Sequence, residues 1–307
     1  MATLEVCLEK EVKNLGKTKC YSMPVLFKRC IEAPKGWFLE PADYASKAAL
    51  KTKLQALLTN PYATRGYLFP PFANVPEDQS EASIYVDTPY GRTPVRDGQR
   101  RFLHAISQNL CVHKALQTHR KINDGTILYL DVENKLLLQE PNEDGNLYPL
   151  DLALLWTEKM KISKGDDSSL SPFVVDLADS RQIDVYGVLI DGTVVNELEP
   201  LTDVVIELAA GDAFAAAEFY VDVLLECDRT PVTGLADADF VMYAADGVTE
   251  QPILSADEDE NTPGRYHIMA PISPANVFED GYLTLAAPSL LTIKAYEVQE
   301  PLLVNIP

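Results

Sequence analysis

The C-terminal part of the chain, from Pro200 onward, is a series of short apolar runs separated by turn signals. Seven runs have strand-like composition: VVIELAA, AAEFYVDVLLE, ADFVMYAAD, QPILSAD, RYHIMAP, GYLTLAA and LLTIKAYEV. Glycine-containing turns separate most of them: Ala210-Gly211-Asp212, Asp246-Gly247, Pro263-Gly264 and Asp280-Gly281. Short strands at this spacing are typical of two packed antiparallel sheets. We therefore predict a β-sandwich in this part of the chain.

A change in charge marks where this sandwich begins. Residues 1–197 carry 23 Lys and Arg against 26 Asp and Glu, a net charge of -3, whereas residues 198–307 carry 3 against 20, a net charge of -17. A chain of 307 residues is long enough for two domains, so we predict one over 1–197 and another over 198–307. A surface of one sign repels nucleic acid, so the acidic domain favours basic partners or cations over DNA or RNA.

The first domain combines helical and strand-like patterns. Four leucines recur at helical spacing and predict a helix that begins at Pro41-Ala42-Asp43 and ends at Asn60-Pro61. These leucines are Leu50, Leu54, Leu57 and Leu58. The run RRFLHAISQNL predicts a strand, and a short helix is expected from Cys111 to His119.

Three turn signals in the first domain predict hairpins. TILYLDV and KLLLQEP flank Glu133-Asn134, and LDLALLWTEKMKIS and SPFVVDLAD flank residues 164–167. Asp191-Gly192 predicts a third turn. The first domain is therefore expected to be α+β with an antiparallel sheet, and the whole chain mainly β.

Residues 61–98 contain six prolines, a composition that disfavours regular strand ladders and favours an extended arm. Four aromatic residues in this segment are interface candidates: Tyr62, Tyr67, Phe69 and Phe72. Such rings have little reason to stay exposed on a monomer, so we expect the arm to lie against another protein. The alternative is that the arm packs back on its own domain.

The acidic domain contains Thr230-Pro231-Val232-Thr233-Gly234-Leu235, then Ala238-Asp239-Phe240, and later Pro263-Gly264-Arg265-Tyr266. These segments resemble bacterial immunoglobulin-like repeats of the invasin and intimin type, in which PVTGL leads into ADF and PG-x-Y opens a later strand. The resemblance implies an immunoglobulin-like sandwich that acts as a spacer or display module without catalytic residues.

The first domain contains Val95-Arg96-Asp97-Gly98, a β run into Leu110 to Leu116, and the stretches Leu154 to Ile162 and Pro172 to Asp179. At the level of protein class, these features are similar to structural proteins of tailed bacteriophages of the crAss-like group. The resemblance implies a virion protein with a β-rich assembly domain and an appended immunoglobulin-like module.

Local signatures of catalysis are missing from the sequence. No P-loop, dinucleotide fingerprint, G-x-S-x-G elbow or H-E-x-x-H occurs, so no enzymatic activity and no cofactor are predicted. His104, His113 and His119 lie near Cys111, but their spacing does not place them on one helical face, and ordinary polar or part-buried histidines are expected. Asp176, Asp179 and Asp184 are expected to cap turns and strand ends rather than to form a carboxylate site.

A metal site is not predicted, although the loop Asp257-Glu258-Asp259-Glu260-Asn261 is a calcium candidate through Asp257 and Asp259. Calcium prefers six to eight oxygen ligands, which such a loop could supply. The run lacks the D-x-D-x-D-G spacing of a dedicated calcium loop, and a charge run is usually a solvated face.

The five cysteines include no C-x-x-C pair, so reduced thiols are expected, with a disulfide from Cys7 to Cys20 or Cys30 as the alternative. No stretch is long and apolar enough to cross a membrane, and no signal-peptide core opens the chain.

Two functional hypotheses follow from the sequence. The first is a non-enzymatic tail, neck or ring component of a phage virion, made in a bacterial cytoplasm, which forms a homo-oligomeric ring and contacts other virion proteins. The second is a surface adhesive or carbohydrate-binding protein, which would need exposed Trp or Tyr platforms. Most aromatic residues of the acidic domain are expected to lie in its core instead.

Overall fold

The computed structural model describes residues 26–60, 64–74, 76–89, 91–96, 98–107, 110–142, 144–162, 169–212, 218–244, 246–269, 281–288, 291, 296–298 and 300–304. It is 44% strand and 15% helix, so the predicted mainly β fold is confirmed. The chain divides into two compact units, Met1–Leu198 and Glu199–Pro307. The division lies one residue beyond the boundary that the charge distribution predicts.

The described part of the first unit contains three helices and twelve strands. The helices are α1 (Lys47–Thr59), α2 (Leu110–Thr118) and α3 (Arg181–Asp184). The strands are β1 (Phe27–Ala33), β2 (Tyr67–Leu68), β3 (Glu77–Asp78), β4 (Ile84–Thr88), β5 (Gly91–Arg96), β6 (Arg101–Ile106), β7 (Lys121–Ile122), β8 (Thr126–Asp131), β9 (Lys135–Gln139), β10 (Leu150–Thr157), β11 (Ser171–Leu177) and β12 (Gly187–Asp191).

Ten of these strands form one antiparallel sheet with the order β12-β9-β8-β10-β11-β6-β3. Strand β1 pairs with β8 and β2, and β7 pairs with β10. Strands β4 and β5 pair with each other in a separate two-stranded ladder. The antiparallel α+β architecture expected for this part of the chain is therefore present.

Two of the three predicted hairpins are confirmed, and the third is wrong. Strands β8 and β9 pair across Asn134, whose φ of 61° is the left-handed geometry such a turn requires, and β10 pairs with β11. After β12, however, the chain enters a 3₁₀ turn (Thr193–Glu197), and β12 pairs with β9 instead of with a following strand. The turn buries Val194 and Val195 in the core, and this burial outweighs the local turn preference of Asp-Gly.

Helix α1 begins later than the sequence predicts. Its N-cap is Ser46, whose Oγ accepts a hydrogen bond from the Ala49 N–H at 3.2 Å, while Asp43 accepts one from the Glu40 N–H at 2.9 Å and holds the preceding turn. The four predicted leucines are all buried in one core with residues of β1, β8, β9 and β12. Each contributes about 2 kcal/mol by leaving water, so tertiary packing holds the helix.

The second unit has nine described strands in two sheets. The strands are β13 (Thr202–Leu208), β14 (Glu218–Leu225), β15 (Phe240–Ala244), β16 (Glu250–Gln251), β17 (Ser255–Glu258), β18 (Arg265–Met269), β19 (Gly281–Leu285), β20 (Tyr296–Val298) and β21 (Leu302–Val304). One sheet has the order β17-β18-β14-β13-β20 and the other β16-β15-β19-β21. Both contribute to a single core, which makes the unit a sandwich.

Tyr266 stabilises one corner of this sandwich. Its hydroxyl donates to the Val232 carbonyl at 2.8 Å and accepts from the Leu235 N–H at 3.1 Å. Burial raises the pKa of Tyr266 to about 12, so the hydroxyl keeps its proton and remains a donor. Glu258 accepts hydrogen bonds from the N–H groups of Gly234 and Gly264, at 2.8 Å and 3.0 Å. The PVTGL and PGRY segments are therefore joined in space, although they are far apart in sequence.

Candidate interaction site

A β-ribbon extends beyond the large sheet of the first unit. The ladder between β3 and β6 continues through Gln79 N–H to the Arg101 carbonyl and Glu81 N–H to the Gln99 carbonyl, each at 2.9 Å. The ribbon continues as the β4–β5 ladder. Among the described residues, no strand of the large sheet pairs with β4 or β5. The described residues between 77 and 106 thus form one long hairpin whose base belongs to the sheet and whose far end does not.

This ribbon corrects the expectation that residues 61–98 avoid regular ladders. Pro89 lies in the turn after β4, and Pro94 lies in β5 opposite Tyr85. The segment also contributes β2 and β3 to the large sheet. Prolines at a turn and at an open edge leave a hairpin intact because no ladder donor is lost there.

The base of the ribbon is held by close backbone packing and ion pairs. A Cβ added at Gly98 would lie 1.7 Å from the Glu81 carbonyl oxygen, so only glycine fits there. On β6, Arg101 forms a bidentate pair with buried Asp176, at 2.7 Å and 2.8 Å, which raises the pKa of the guanidinium. Arg100 pairs with Asp184.

The three carboxylates that we expected to have structural roles each bind an arginine. Asp176 binds Arg101 of β6 and Asp184 binds Arg100, the residue before β6. Asp179 binds Arg181 at 2.7 Å, which lowers the pKa of Asp179 through hydrogen bonds from that residue. Each carboxylate has its own cation, so the three do not form a shared site.

The far end of the ribbon exposes apolar side chains. Ile84, Tyr85 and Val86 are 51%, 50% and 50% exposed, and they are consecutive in β4. Arg92 lies over the Tyr85 ring, 5.6 Å from its centroid, and contacts Asp87 at 3.1 Å. Arg92 of β5 thus contacts two side chains of β4, while β4 also presents apolar surface and an open strand edge.

The interface candidates named from the sequence lie elsewhere. Phe69 is 4% exposed, with its ring 5.6 Å from that of Phe173, so it is a core residue rather than a contact surface. Phe72 stacks on His104 at 4.4 Å, and Tyr67 lies 4.3 Å from the His119 ring. These three rings pack on their own unit because the chain that pairs with β1 contributes to the core of that unit. Tyr62 lies outside the described residues.

The sequence analysis did not identify the exposed run at β4, although Ile84-Tyr85-Val86 before a Pro-Tyr-Gly turn is a local hairpin signal.

The three clustered histidines have separate structural partners. His104 Nε2 is 2.9 Å from the Tyr129 hydroxyl, and His113 Nδ1 is 3.1 Å from Ser171 Oγ. His119 Nδ1 lies 2.9 Å from the buried carboxylate of Glu32, which Lys121 also approaches at 3.6 Å. Within the described ranges, no three metal-ligating side chains come together.

The calcium candidates do not converge on a common point. Asp257 is an exposed residue of β17, and Asp259 uses Oδ1 to accept a hydrogen bond from the Asn261 N–H at 2.8 Å. Glu258 is occupied by the two glycine N–H groups of the corner. Glu258 and Asp259 therefore stabilise turns of the sandwich.

The outer face of the sheet around β14 carries an exposed aromatic pair. Tyr220 is 39% exposed and stacks on His267 with ring centroids 4.7 Å apart. Asp257 stands beside His267 in the register, and Glu218 lies 3.7 Å from its Nε2. The other six described aromatics of this unit are buried or partly buried: Phe219, Phe240, Tyr243, Tyr266, Tyr282 and Tyr296.

The described cysteines differ from the expectation of reduced thiols. Cys111 and Cys227 each take part in a disulfide, whereas Cys30 is free and buried. The alternative pairing of Cys7 with Cys30 is therefore not formed, and Cys7 and Cys20 themselves lie outside the described residues.

No described helix is long and apolar enough to cross a bilayer.

Comparisons with known proteins do not assign the chain to a family. No family model matches the sequence, and no curated protein is significantly similar to it.

Proposed function

We propose that this chain is a non-enzymatic structural protein of a tailed-phage particle, a tail, neck or ring component that contacts copies of itself and other virion proteins. The observation that carries the proposal is the ribbon end at β4 and β5, a strand pair that leaves the sheet of its own unit and whose strand β4 carries exposed apolar side chains. A two-stranded hairpin is marginally stable alone in water, so this feature favours a protein that is completed by a neighbour.

The second unit supports the same proposal. It is a sandwich with a hydrogen-bonded corner at Tyr266 and a net charge of -17 over residues 198–307. Such a surface keeps a module soluble and repels nucleic acid, so the partners that we propose are proteins and not DNA or RNA. A membrane partner is not part of the proposal.

The test is quantitative mass spectrometry of purified particles of a phage or prophage whose genome encodes this chain. We expect the chain at a fixed copy number relative to the major capsid protein, and a multiple of six would favour a ring. Particles that lack the chain would overturn the virion role.

A second candidate function is a surface adhesive that binds carbohydrate. The exposed Tyr220–His267 pair favours it, because an aromatic platform can stack on a sugar ring while the carboxylates beside it accept hydrogen bonds from the sugar hydroxyls. An array of bacterial surface glycans probed with the wild-type chain and with Tyr220→Ala tests this function. Binding that the substitution abolishes would support it, and an array without binding would exclude it.

A further inference from the structure

Among the described strands only β5 pairs with β4, so the other edge of β4 presents backbone groups that no described strand pairs. The hairpin closes between Thr88 and Gly91, so this pair exchanges backbone hydrogen bonds across the ladder. Hydrogen-bonded and non-hydrogen-bonded pairs alternate from there. The N–H and C=O groups of Tyr85 and Asp87 therefore point away from β5.

The opposite edge of the ribbon is blocked. Pro94 stands opposite Tyr85 in a non-hydrogen-bonded pair, so its nitrogen faces outward. Because proline has no N–H, the outer edge of β5 lacks a donor at this position. Strand β4 has no proline, and it carries the three consecutive exposed apolar side chains. Strand addition is thus favoured at β4 and disfavoured at β5.

We infer that β4 pairs antiparallel with β4 of a second copy of this chain, about a two-fold axis at Val86. In this register all five residues of β4 are matched, and Tyr85 of one copy exchanges both of its outward hydrogen bonds with Asp87 of the other. The two ribbons become a four-stranded sheet, which is large enough to be stable outside the core of either copy.

Charge selects this register over its neighbours. With Val86 on the axis, each Asp87 carboxylate faces a Tyr85 ring over which Arg92 of that copy lies. A register centred on Asp87 would place two carboxylates directly opposite each other, which is destabilising. A register centred on Tyr85 would align Asp87 with Ser83, which precedes β4 and lies beyond the bulge at Ile84.

This inference deepens the proposed function, because it rests on self-association of the chain and names the surface that provides it. The contact is isologous and makes a dimer. A ring would need a second, head-to-tail surface in addition.

Disulfide trapping of the full chain tests the register. At the axis, the two Val86 Cα atoms would be about 4.5 Å apart, which is within the range that a disulfide spans. We expect Val86→Cys to form covalent dimers under mild oxidation. The matched control is Val132→Cys, at a residue of the same unit that is 48% exposed compared with 50% for Val86. Cross-linking of Val86→Cys that is no faster than that of the control would overturn the inference.

A second pair of variants tests the hydrogen bonds without relying on cysteine. Asp87→Pro removes an outward N–H, as Pro94 does naturally, whereas Asp87→Ala keeps it. By light scattering across a dilution series, we expect Asp87→Pro to weaken dimerisation by about 10-fold or more relative to Asp87→Ala, because each dimer loses two hydrogen bonds. Equal dissociation constants for the two variants would contradict the pairing.

The outcomes separate this inference from the proposed function. A wild-type chain that oligomerises without cross-linking at Val86 overturns the β4 pairing and leaves self-association standing. A wild-type chain that stays monomeric at about 100 µM, a concentration above the dissociation constants of specific assemblies, also overturns the pairing. The virion role is then decided separately by the particle mass spectrometry.

Discussion

His104 lies fully buried in an aromatic cluster with Phe72, Phe102 and Phe173. Its Nε2 has the Tyr129 hydroxyl as a partner, whereas its Nδ1 finds none among the described residues. Desolvation lowers the pKa of His104 to about 3, so the ring is neutral in the folded protein at ordinary pH. This histidine therefore contributes to packing but makes the fold sensitive to acid.

The sign of this acid sensitivity follows from linkage. In the unfolded chain the pKa of the ring is near 6.5, so above that pH it is neutral in both states and has no effect. Below it the unfolded state binds a proton and the folded state does not, until about pH 3. We expect the free energy of unfolding to fall by up to about 1.4 kcal/mol per pH unit in this window through His104 alone.

Urea unfolding from pH 7 to pH 4 checks this prediction. The variant His104→Phe/Tyr129→Phe removes both partners of the buried hydrogen bond and should lose this part of the pH dependence, while the part due to carboxylates remains. The same slope in the variant and the wild type would show that His104 does not titrate as described.

Cys30 gives a second prediction at the residue scale. Burial, and then the nearby charge of Glu32, raise the pKa of its thiol well above the usual value. Because the thiolate is the reactive form, we expect Cys30 to resist iodoacetamide in the folded protein and to react after unfolding without reductant. Cys111 and Cys227 should react only after reduction. Peptide mass spectrometry checks each site, and labelling of Cys30 in the native state would contradict the burial.

At the scale of elements, the ribbon of residues 77–106 depends on local interactions at its turn and on tertiary interactions at its base. Its turn and the blocked edge of β5 are local features, because they follow from Pro89, Gly91 and Pro94. Its base depends on partners distant in sequence, such as Asp176. The ribbon is therefore a local hairpin held at one end by the sheet.

A substitution at Gly98 tests whether close backbone packing holds the base of the ribbon. In Gly98→Ala the new Cβ would collide with the Glu81 carbonyl, so the backbone must move and the Glu81–Gln99 hydrogen bond should open. We expect exchange protection of the Glu81 amide to fall by about 10-fold or more, while amides of β8 are unchanged. Gln99→Ala, which keeps the backbone bond, is the control. Unchanged protection in Gly98→Ala would show that the ladder does not close there.

At the scale of the molecule, the two units differ in what limits their stability. Residues 1–197 carry nearly balanced charge, whereas residues 198–307 carry a net charge of -17. Repulsion among like charges destabilises a compact state and is screened by salt. The acidic unit should therefore gain stability with ionic strength, and the first unit should change little.

Hydrogen exchange on the full chain checks this difference. Between about 10 mM and 200 mM NaCl, we expect protection of core amides in the second unit, such as those of Phe219 and Val221, to rise by about 1 kcal/mol. Core amides of the first unit, such as those of Leu128 and Leu137, are the internal control. An equal response in both units would show that the charge is compensated locally.

Local patterns in the sequence predicted the features that depend on neighbouring residues. These are the leucine face of α1, the turn at Asn134, the β8–β9 and β10–β11 hairpins, the sandwich strands β13, β14, β15, β18 and β19, and the change of charge near residue 198. The features that depend on distant partners were set by tertiary contacts. They drew Phe69 into the core, turned the chain inward after Asp191, began α1 at Lys47 and left Ile84 to Val86 exposed. The physical reason is that burial and backbone pairing are energies of the assembled core, and short-range patterns do not record which apolar side chains the core has room to enclose.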